Sequence, residues 1–290
     1  MPNAVEPPSE SPTRLEAAYA LLADATGAPW RPLAGGTDLM VQMTGEIGEE
    51  PARVLDIWAL DELRGIAIEG DALVIGALTT YTDIRRSLVV AEHAPALVEA
   101  SSTIGAAQIQ NRGTIGGNVI NASPAGDTLP VLLALEAEMV LGSAGGERTV
   151  PAEQFWPSYR TTARRPDELL LRVRIPLVTD RTVRFRKVGT RRAQAISKVV
   201  MALAWRASAN DQPWTDVRVA LGSVAATTVR AAATEAVVEG ARPTRDTADA
   251  AAAALTAELT PIDDVRSTAD YRRAVAGRVL HRLIRDAGSW

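Results

Sequence analysis

Two glycine-rich turns constrain this chain more than any other feature of its sequence. The segments AGGTD (34–38) and TIGGN (114–118) each place a threonine and a second polar residue beside paired glycines. Backbone N–H groups at such a turn can bind an anion, because glycine has no side chain to block close approach. A helix that follows the turn adds further N–H groups and the positive end of its dipole. The two turns together predict a diphosphate held from both sides.

The periodicity of the remaining chain predicts an α+β protein. Apolar residues at helical spacing predict a helix over 11–25, and alternation on both sides of Gly70-Asp71 predicts a β-hairpin over 64–78. Further strands are predicted over 167–176 and 182–189.

The C-terminal third combines strands and helices. Segments 197–208 and 214–225 are predicted strands, and the first has a helical alternative because it is apolar almost throughout. Alanine, arginine and glutamate dominate from Val229 onward, which predicts helices over about 229–240, 245–257 and 268–287. A sheet followed by helices is typical of a separate α+β unit.

The composition excludes several kinds of chemistry in this chain. It has no cysteine, which rules out disulfides, thiolate catalysis and cysteine-ligated iron–sulfur clusters. Its two histidines, His93 and His281, lie too far apart in sequence to suggest a histidine metal site. The G-x-G-x-x-G spacing is absent, which disfavours the usual dinucleotide-binding fold.

Charge and hydropathy limit the partners and the location. A net charge of −4 provides no basic field for nucleic acid or an anionic membrane. No apolar run is long enough to predict a membrane span, and the N-terminus lacks the pattern of a secretory signal. We therefore expect a cytoplasmic protein.

Several blocks of sequence carry a resemblance to a known family. They are PLAGGTDLM, LDELRGIAIEGDALVIGALTTYTDI, QIQNRGTIGGNVINASPAGDTLPVLLALEAEMVL, DELLLRVRIP and FRKVGTRRAQAISKV. In this order they resemble the FAD-binding medium subunit of the molybdenum hydroxylases, the family of xanthine dehydrogenase, aldehyde oxidoreductases and aerobic carbon monoxide dehydrogenase. The resemblance runs from about residue 11 to the end of the chain.

The resemblance implies a domain organisation. Residues 1–10 would be a flexible tail, and 11–57 and 58–177 would form the two subdomains of an FAD-binding domain of the vanillyl-alcohol-oxidase (PCMH) type. Residues 178–290 would form a C-terminal α+β domain, an antiparallel sheet followed by a helical bundle.

The resemblance also implies where FAD binds. The cofactor would lie between the two subdomains, with its pyrophosphate against both glycine turns. The implied cofactor-binding residues are Leu33, Ala34, Gly35, Gly36, Thr37, Asp38, Ile104, Thr114, Gly116, Gly117, Asn118, Ile120, Asn121, Asp127, Leu170 and Lys187.

Some of these residues have a specific implied role near the flavin, and some also have a structural alternative. Ile120 and Asn121 would lie beside the flavin ring, and Asp127 near the ribityl–ring region, where an acid can tune the redox balance. The alternative for Asp127 is the N-cap of the helix that follows. Lys187 would lie near the flavin, or would be an exposed lysine on a strand.

At some of these positions the residue could pack in the core or anchor a loop instead of contacting the cofactor. Asp38 and Asn118 would either meet the cofactor or anchor the turns through side-chain-to-backbone hydrogen bonds. Leu170 would lie against the cofactor or in the core, and Ile104 is implied on the adenine side.

The implied function is electron transfer without substrate chemistry. A large partner subunit would hold the molybdenum cofactor, and a small one would hold two [2Fe–2S] clusters, in a heterotrimer that can itself dimerise. FAD would receive electrons from the clusters and release them to an acceptor such as NAD⁺, a quinone or oxygen. The alternatives are a stand-alone FAD-dependent oxidoreductase of the same fold, which two unpromising histidines disfavour, and a scaffold without FAD, which the intact glycine turns disfavour.

Overall fold

The computed structural model describes residues 7–44, 50–191, 194–209 and 211–290, and the side chains of 42–44 are not among them. The first region is a small parallel sheet with strand order β1-β3-β2. Its elements are β1 (Ser9–Glu10), α1 (Leu15–Ala23), β2 (Trp30–Leu33), α2 (Leu39–Thr44) and β3 (Arg53–Asp56).

The start of the chain differs from the sequence prediction in two places. Helix α1 begins at Leu15, because the preceding Arg14 has an extended backbone, so the predicted helix over 11–25 is shorter at its N-terminal end. Ser9 and Glu10, which fall in the predicted tail, pair with Val54 and Leu55 of β3. The part of that tail over residues 1–6 lies outside the described residues.

The second region is an antiparallel sheet with strand order β4-β5-β8-β6-β7, and the predicted hairpin over 64–78 is confirmed as β4 and β5. Helices between β5 and β6 cover this sheet. The elements are β4 (Ile66–Glu69), β5 (Ala72–Gly76), α3 (Tyr81–Arg86), α4 (Leu88–His93), α5 (Pro95–Ser102), α6 (Ala107–Gln110), α7 (Ile115–Asn121), α8 (Leu129–Ala134), β6 (Glu138–Ser143), β7 (Gly146–Pro151), α9 (Ala152–Phe155) and β8 (Leu169–Pro176).

The C-terminal region is an antiparallel sheet with order β12-β11-β10-β9, followed by three helices. Its elements are β9 (Arg181–Val188), β10 (Val199–Arg206), β11 (Thr215–Gly222), β12 (Val229–Arg230), α10 (Ala232–Val238), α11 (Arg245–Glu258) and α12 (Ala269–Gly288). The strand prediction for 197–208 is confirmed and its helical alternative is wrong. In the described part of the chain, no helix has the length and apolarity needed to cross a bilayer.

Strand β10 connects the C-terminal region to the rest of the molecule through alternating side chains. Val200, Ala202 and Ala204 join the core of the five-stranded sheet, whereas the intervening residues of β10 pack against α11 and α12. Neighbouring side chains of a strand point to opposite faces, so β10 is buried on both sides. This shared core holds the C-terminal region beside the two glycine turns.

Candidate functional site

A cleft of about 980 Å³ lies where the three regions meet. Its walls include β2, the two glycine turns, the loop before α8, the start of β8, and residues 187, 195–197, 223, 225, 226, 262, 264, 266 and 272 of the C-terminal region. Every cofactor-binding residue implied at the sequence level lines this one cleft. The tertiary structure therefore brings together positions from 33 to 187.

The first glycine turn packs directly against Arg112 and Gly113, the two residues that precede the second turn. A Cβ atom on Gly35 would lie 1.7 Å from the carbonyl oxygen of Arg112, next to the start of the second turn. A Cβ atom on Gly113 would lie 3.4 Å from Thr37 Oγ1. Gly35 is therefore required by the contact between the two turns, because no other residue fits against the Arg112 carbonyl.

The first turn, residues 34–38, presents unused backbone donors. Gly36 has a φ of +76°, a conformation that favours glycine. The N–H groups of residues 35–38 donate no hydrogen bond to any residue that the structure describes. Because these residues line the cleft, the first turn has the donors that an anion needs.

In the second turn, residues 114–118, the N–H groups of residues 115–118 donate hydrogen bonds within the protein. Thr114 Oγ1 accepts from Gly117 N at 3.0 Å, and Ile115 N and Gly116 N donate to the carbonyls of Thr79 (3.0 Å) and Ala77 (2.9 Å). Asn118 N donates to the Thr114 carbonyl at 3.1 Å, which is an ordinary helical bond. The expectation that both turns offer free N–H groups is thus wrong for residues 115–118 of the second turn.

The glycines of the second turn also differ from each other. A Cβ atom on Gly116 would lie 2.6 Å from the Ala77 oxygen and 2.7 Å from the Ala77 Cβ. Gly116 thus allows α7 to pack on the end of β5, and its missing side chain does not leave space for a ligand. A Cβ atom on Gly117 would meet only Thr114 Oγ1, at 3.0 Å, and would otherwise enter open space in the cleft.

Asp127 is bound by three side-chain donors. Lys187 Nζ and Ser197 Oγ each lie 2.5 Å from its carboxylate oxygens, and Thr103 Oγ1 lies at 3.1 Å. Lys187 Nζ also donates to the Thr103 carbonyl at 3.0 Å. Burial raises the pKa of Asp127, and the hydrogen bonds and the charge of Lys187 oppose that rise.

These contacts decide two of the open alternatives. Asp127 is not the N-cap of α8, because Thr128 holds that position in a helical conformation and forms no side-chain cap bond. Lys187 is not an exposed strand lysine, because its side chain is only 11% accessible and forms an ion pair with Asp127. The pair joins β9 of the C-terminal region to the loop before α8.

The polar side chains beside the turns form anchoring contacts. Asn118 Oδ1 accepts a hydrogen bond from Thr128 Oγ1 at 2.6 Å, and Asn121 Nδ2 donates to Asp38 Oδ1 at 3.0 Å. Burial raises the pKa of Asp38, and the nearby Arg160 opposes that rise. Asp38 and Asn118 thus form anchoring bonds to other side chains, whereas their structural alternative predicted side-chain-to-backbone bonds.

The two apolar candidates lie in different surroundings. Leu170 is 4% exposed and belongs to the core around Ile115, so its packing role and its place in the cleft wall coexist. Ile104 follows Thr103, which contacts both Asp127 and Lys187. Ile104 is thus near Asp127 and Lys187, which are implied on the flavin side, and its own adenine-side position stays a prediction.

Several residues in or beside the cleft were not predicted from the sequence. Thr103 and Ser197 contact Asp127, and Tyr159 and Arg160 line the cleft from the loop between α9 and β8. No spacing relates Ser197 to an acid 70 residues earlier. The adjacent Tyr159 and Arg160 in PSYRTT were visible in the sequence, but an exposed aromatic–arginine pair has many structural uses.

Comparison with known proteins gives matches over nearly the whole chain. Residues 6–178 match the family described as "FAD binding domain in molybdopterin dehydrogenase", and residues 184–287 match "CO dehydrogenase flavoprotein C-terminal domain". The carbon monoxide dehydrogenase medium chain of Hydrogenophaga pseudoflava is 33% identical over 277 residues, covering 96% of this chain and 95% of that protein. The glyceraldehyde dehydrogenase medium chain of Sulfolobus acidocaldarius is 35% identical over 245 residues, covering 84% and 86%.

A solved structure shows the same fold. It is that of carbon monoxide dehydrogenase from Hydrogenophaga pseudoflava, lacking the Mo-pyranopterin moiety of its cofactor; one chain superposes with a TM-score of 0.90 at 33% identity, covering 96% of each chain. The fold, the cleft and the matched domain define an FAD-binding flavoprotein of mixed helices and sheets. More closely, the chain belongs to the family of FAD-binding medium subunits of molybdenum hydroxylases.

Proposed function

We propose that the cleft is the FAD site and that the diphosphate of FAD lies against the first glycine turn. The observation that carries this proposal is the set of free N–H groups at residues 35–38, which face a cleft and have no described partner. The Thr37 hydroxyl adds a donor. The contact between Gly35 and the Arg112 carbonyl holds these donors in place before the ligand arrives.

The second turn then acts as a wall. Gly117 leaves space for close approach to α7, whereas Thr114, Gly116 and Asn118 position that helix through internal contacts. Leu33, Ala34 and Leu170 supply apolar contacts along the cleft. In this proposal Gly116 allows helix packing, whereas its neighbour Gly117 allows close approach of the cofactor.

The end of the cleft that holds Asp127 and Lys187 is the flavin end. When bound, FAD accepts electrons and passes them on to an acceptor. Lys187 supplies a positive charge whose position is set by Asp127 and the Thr103 carbonyl. Ile104, Ile120 and Asn121 line the same cleft, and we group Ile104 with the flavin end.

The chain acts within a complex. We expect a large partner that holds the molybdenum cofactor and carries out the substrate chemistry, and a small partner with two [2Fe–2S] clusters, in a heterotrimer or a dimer of heterotrimers. The relatives' carbon monoxide and glyceraldehyde dehydrogenase activities exemplify reactions that such a partner catalyses. The acceptor would be NAD⁺, a quinone or oxygen, and the complex would be cytoplasmic.

The domain organisation that we propose follows the sequence prediction. Residues 11–57 and 58–177 are the two subdomains of a PCMH-type FAD domain, and 178–290 are the C-terminal domain. The shared core through β10 supports a fixed arrangement of these parts around the cofactor.

Purification with and without the partners tests the function. The chain alone should contain one FAD by its visible spectrum and should oxidise no organic substrate, whereas the complex should also contain molybdenum and iron and reduce this flavin when substrate is added. Substrate turnover by the isolated chain would instead support a stand-alone oxidoreductase. A chain that neither retains nor rebinds FAD would contradict the cofactor site.

A further inference from the structure

The segment 156–168 connects α9 to β8 and is here called the strap. It runs along the cleft and is attached by hydrogen bonds near both of its ends. Trp156 Nε1 donates to the Val119 carbonyl at 3.0 Å, which attaches the start of the strap to α7. Near its other end, Arg148 forms two hydrogen bonds with the Glu168 carboxylate, at 2.5 and 2.8 Å. These contacts make the strap a fixed part of the cleft.

The tip of the strap carries two cleft-lining side chains. Ser158 and Thr161 form a bridge, with Thr161 N donating to the Ser158 carbonyl at 3.1 Å, so Tyr159 and Arg160 occupy a tight turn. Arg160 has a φ of +50°, in the left-handed region that is unfavourable for a residue with a side chain. Such a conformation is kept where the surroundings require it, which is common at binding sites.

The Arg160 guanidinium lies beside the C-terminal end of α7. Its Nη1 donates to Asn121 Oδ1 at 2.9 Å, and Asn121 in turn donates to Asp38 of the first turn. The guanidinium also lies 5.8 Å from the centre of the Tyr159 ring. A hydrogen-bonded chain thus runs from the strap through α7 to the turn that has the free N–H groups.

The charge of Arg160 is not neutralised by a direct ion pair. Lys187 pairs with Asp127, and Arg266 and Arg272 both pair with Asp264, whereas Arg160 forms no ion pair with an acid among the described residues. It donates hydrogen bonds to the Asn121 amide oxygen and the Tyr159 hydroxyl, and the carboxylate of Asp38 lies near enough to interact with its charge without forming an ion pair. Several of its guanidinium donors are therefore still available.

The negative charge of the FAD diphosphate calls for a positive charge beside the first glycine turn. A diphosphate carries negative charge that backbone N–H groups only partly compensate, and the N–H groups of residues 115–118 in the second turn already donate within the protein. We infer that Arg160 is a cofactor-binding residue whose guanidinium contacts the FAD diphosphate from the side opposite the first glycine turn. The planar guanidinium suits two phosphate oxygens at once, which an ammonium does not. This inference rests on the proposed FAD site.

Titration of the FAD-free full chain with FAD tests the inference. Arg160→Ala should raise the Kd for FAD by about 10- to 100-fold, the size expected for a charge-assisted hydrogen bond. Arg160→Lys should recover part of that loss. The Kd of Arg160→Ala should also depend less steeply on salt, and the ³¹P resonances of its bound FAD should shift. The matched control is Arg282→Ala, on α12 outside the cleft with a side chain 69% exposed, which should bind FAD as the original chain does.

A second variant tests whether Arg160 contacts FAD directly or only supports the first glycine turn through Asn121. Asn121→Ala removes the link to Asp38 but keeps the guanidinium, so it should weaken FAD binding less than Arg160→Ala does. Equal losses would show that Arg160 acts only by holding Asn121, and would overturn the inference. Unchanged affinity and salt dependence in Arg160→Ala would also overturn it, while leaving the FAD site intact. If Gly35→Ala bound FAD as well as the original chain, the proposed site itself would be wrong.

Discussion

The two glycine turns are similar in sequence but differ in how their backbone N–H groups are used. In the first, residues 34–38, the backbone N–H groups have no described partner and point to a ligand role. In the second, residues 114–118, the same kind of group is used to start α7 and to fasten it to the end of β5. A Gly-Gly pair shows that something approaches the backbone closely, but the approaching group can be a ligand or the protein itself.

The contact between the turns makes them depend on each other. Gly35 packs on the Arg112 carbonyl, and Gly116 packs on Ala77. The second turn is therefore the rigid support on which the first is placed, and variants in the two turns should separate loss of stability from loss of FAD binding.

Gly35→Ala should have the largest effect. Its Cβ would overlap the Arg112 carbonyl at 1.7 Å, and only backbone movement can relieve that clash. We expect loss of bound FAD and a free energy of unfolding lower by about 3 kcal/mol, measured by the flavin absorbance of the purified chain and by urea unfolding. Gly145→Ala is the matched control, because its Cβ would meet only Ser143 Oγ at 3.6 Å; a similar loss in both would contradict the turn-to-turn contact.

Gly116→Ala should come next, and its main effect should be on stability. The Cβ would lie 2.6 Å from the Ala77 oxygen, so α7 must move away from β5. We expect a loss of about 2 kcal/mol in the free energy of unfolding of the FAD-free chain. An unchanged stability with lost FAD binding would show that Gly116 faces the ligand after all.

Gly117→Ala should show the opposite pattern. The added methyl group would enter the cleft and meet only Thr114 Oγ1. The stability of the FAD-free chain should change by less than about 0.5 kcal/mol, because alanine is also the better helix former. The Kd for FAD should rise about tenfold in an equilibrium titration, since about 1.4 kcal/mol of contact is lost. If Gly117→Ala bound FAD as tightly as the original chain does, α7 would not contact the cofactor at this position.

Thr114→Ala should have the smallest effect. It removes the cap on Gly117 N at 3.0 Å, which should lower the free energy of unfolding by about 1 kcal/mol. The released N–H would resemble those of the first turn, so FAD affinity should fall by less than about threefold, if at all. Thr114→Ser keeps the hydroxyl and should restore stability. A large loss of affinity in Thr114→Ala would mean that the hydroxyl itself contacts FAD.

Much of the fold was predictable because its signals are local. The hairpin β4–β5, the alternating strand β9 and the C-terminal helices follow from periodicity and turn residues. The prediction was less accurate at the ends of helices. Helix α1 begins late, and the predicted helix from residue 229 begins at Ala232 because Val229 and Arg230 pair with β11.

The sequence by itself determined the family, the order of the elements and part of the set of residues that line the cleft, because glycine turns and apolar periodicity report on the backbone near each residue. The tertiary structure alone decided what each of those residues meets. Gly116 meets Ala77, Asp127 meets Ser197 and Lys187 instead of capping a helix, and Arg160 joins the site from a separate strap. These partners are distant in sequence, and a hydrogen bond or a close packing contact depends on where the whole chain places both of its members.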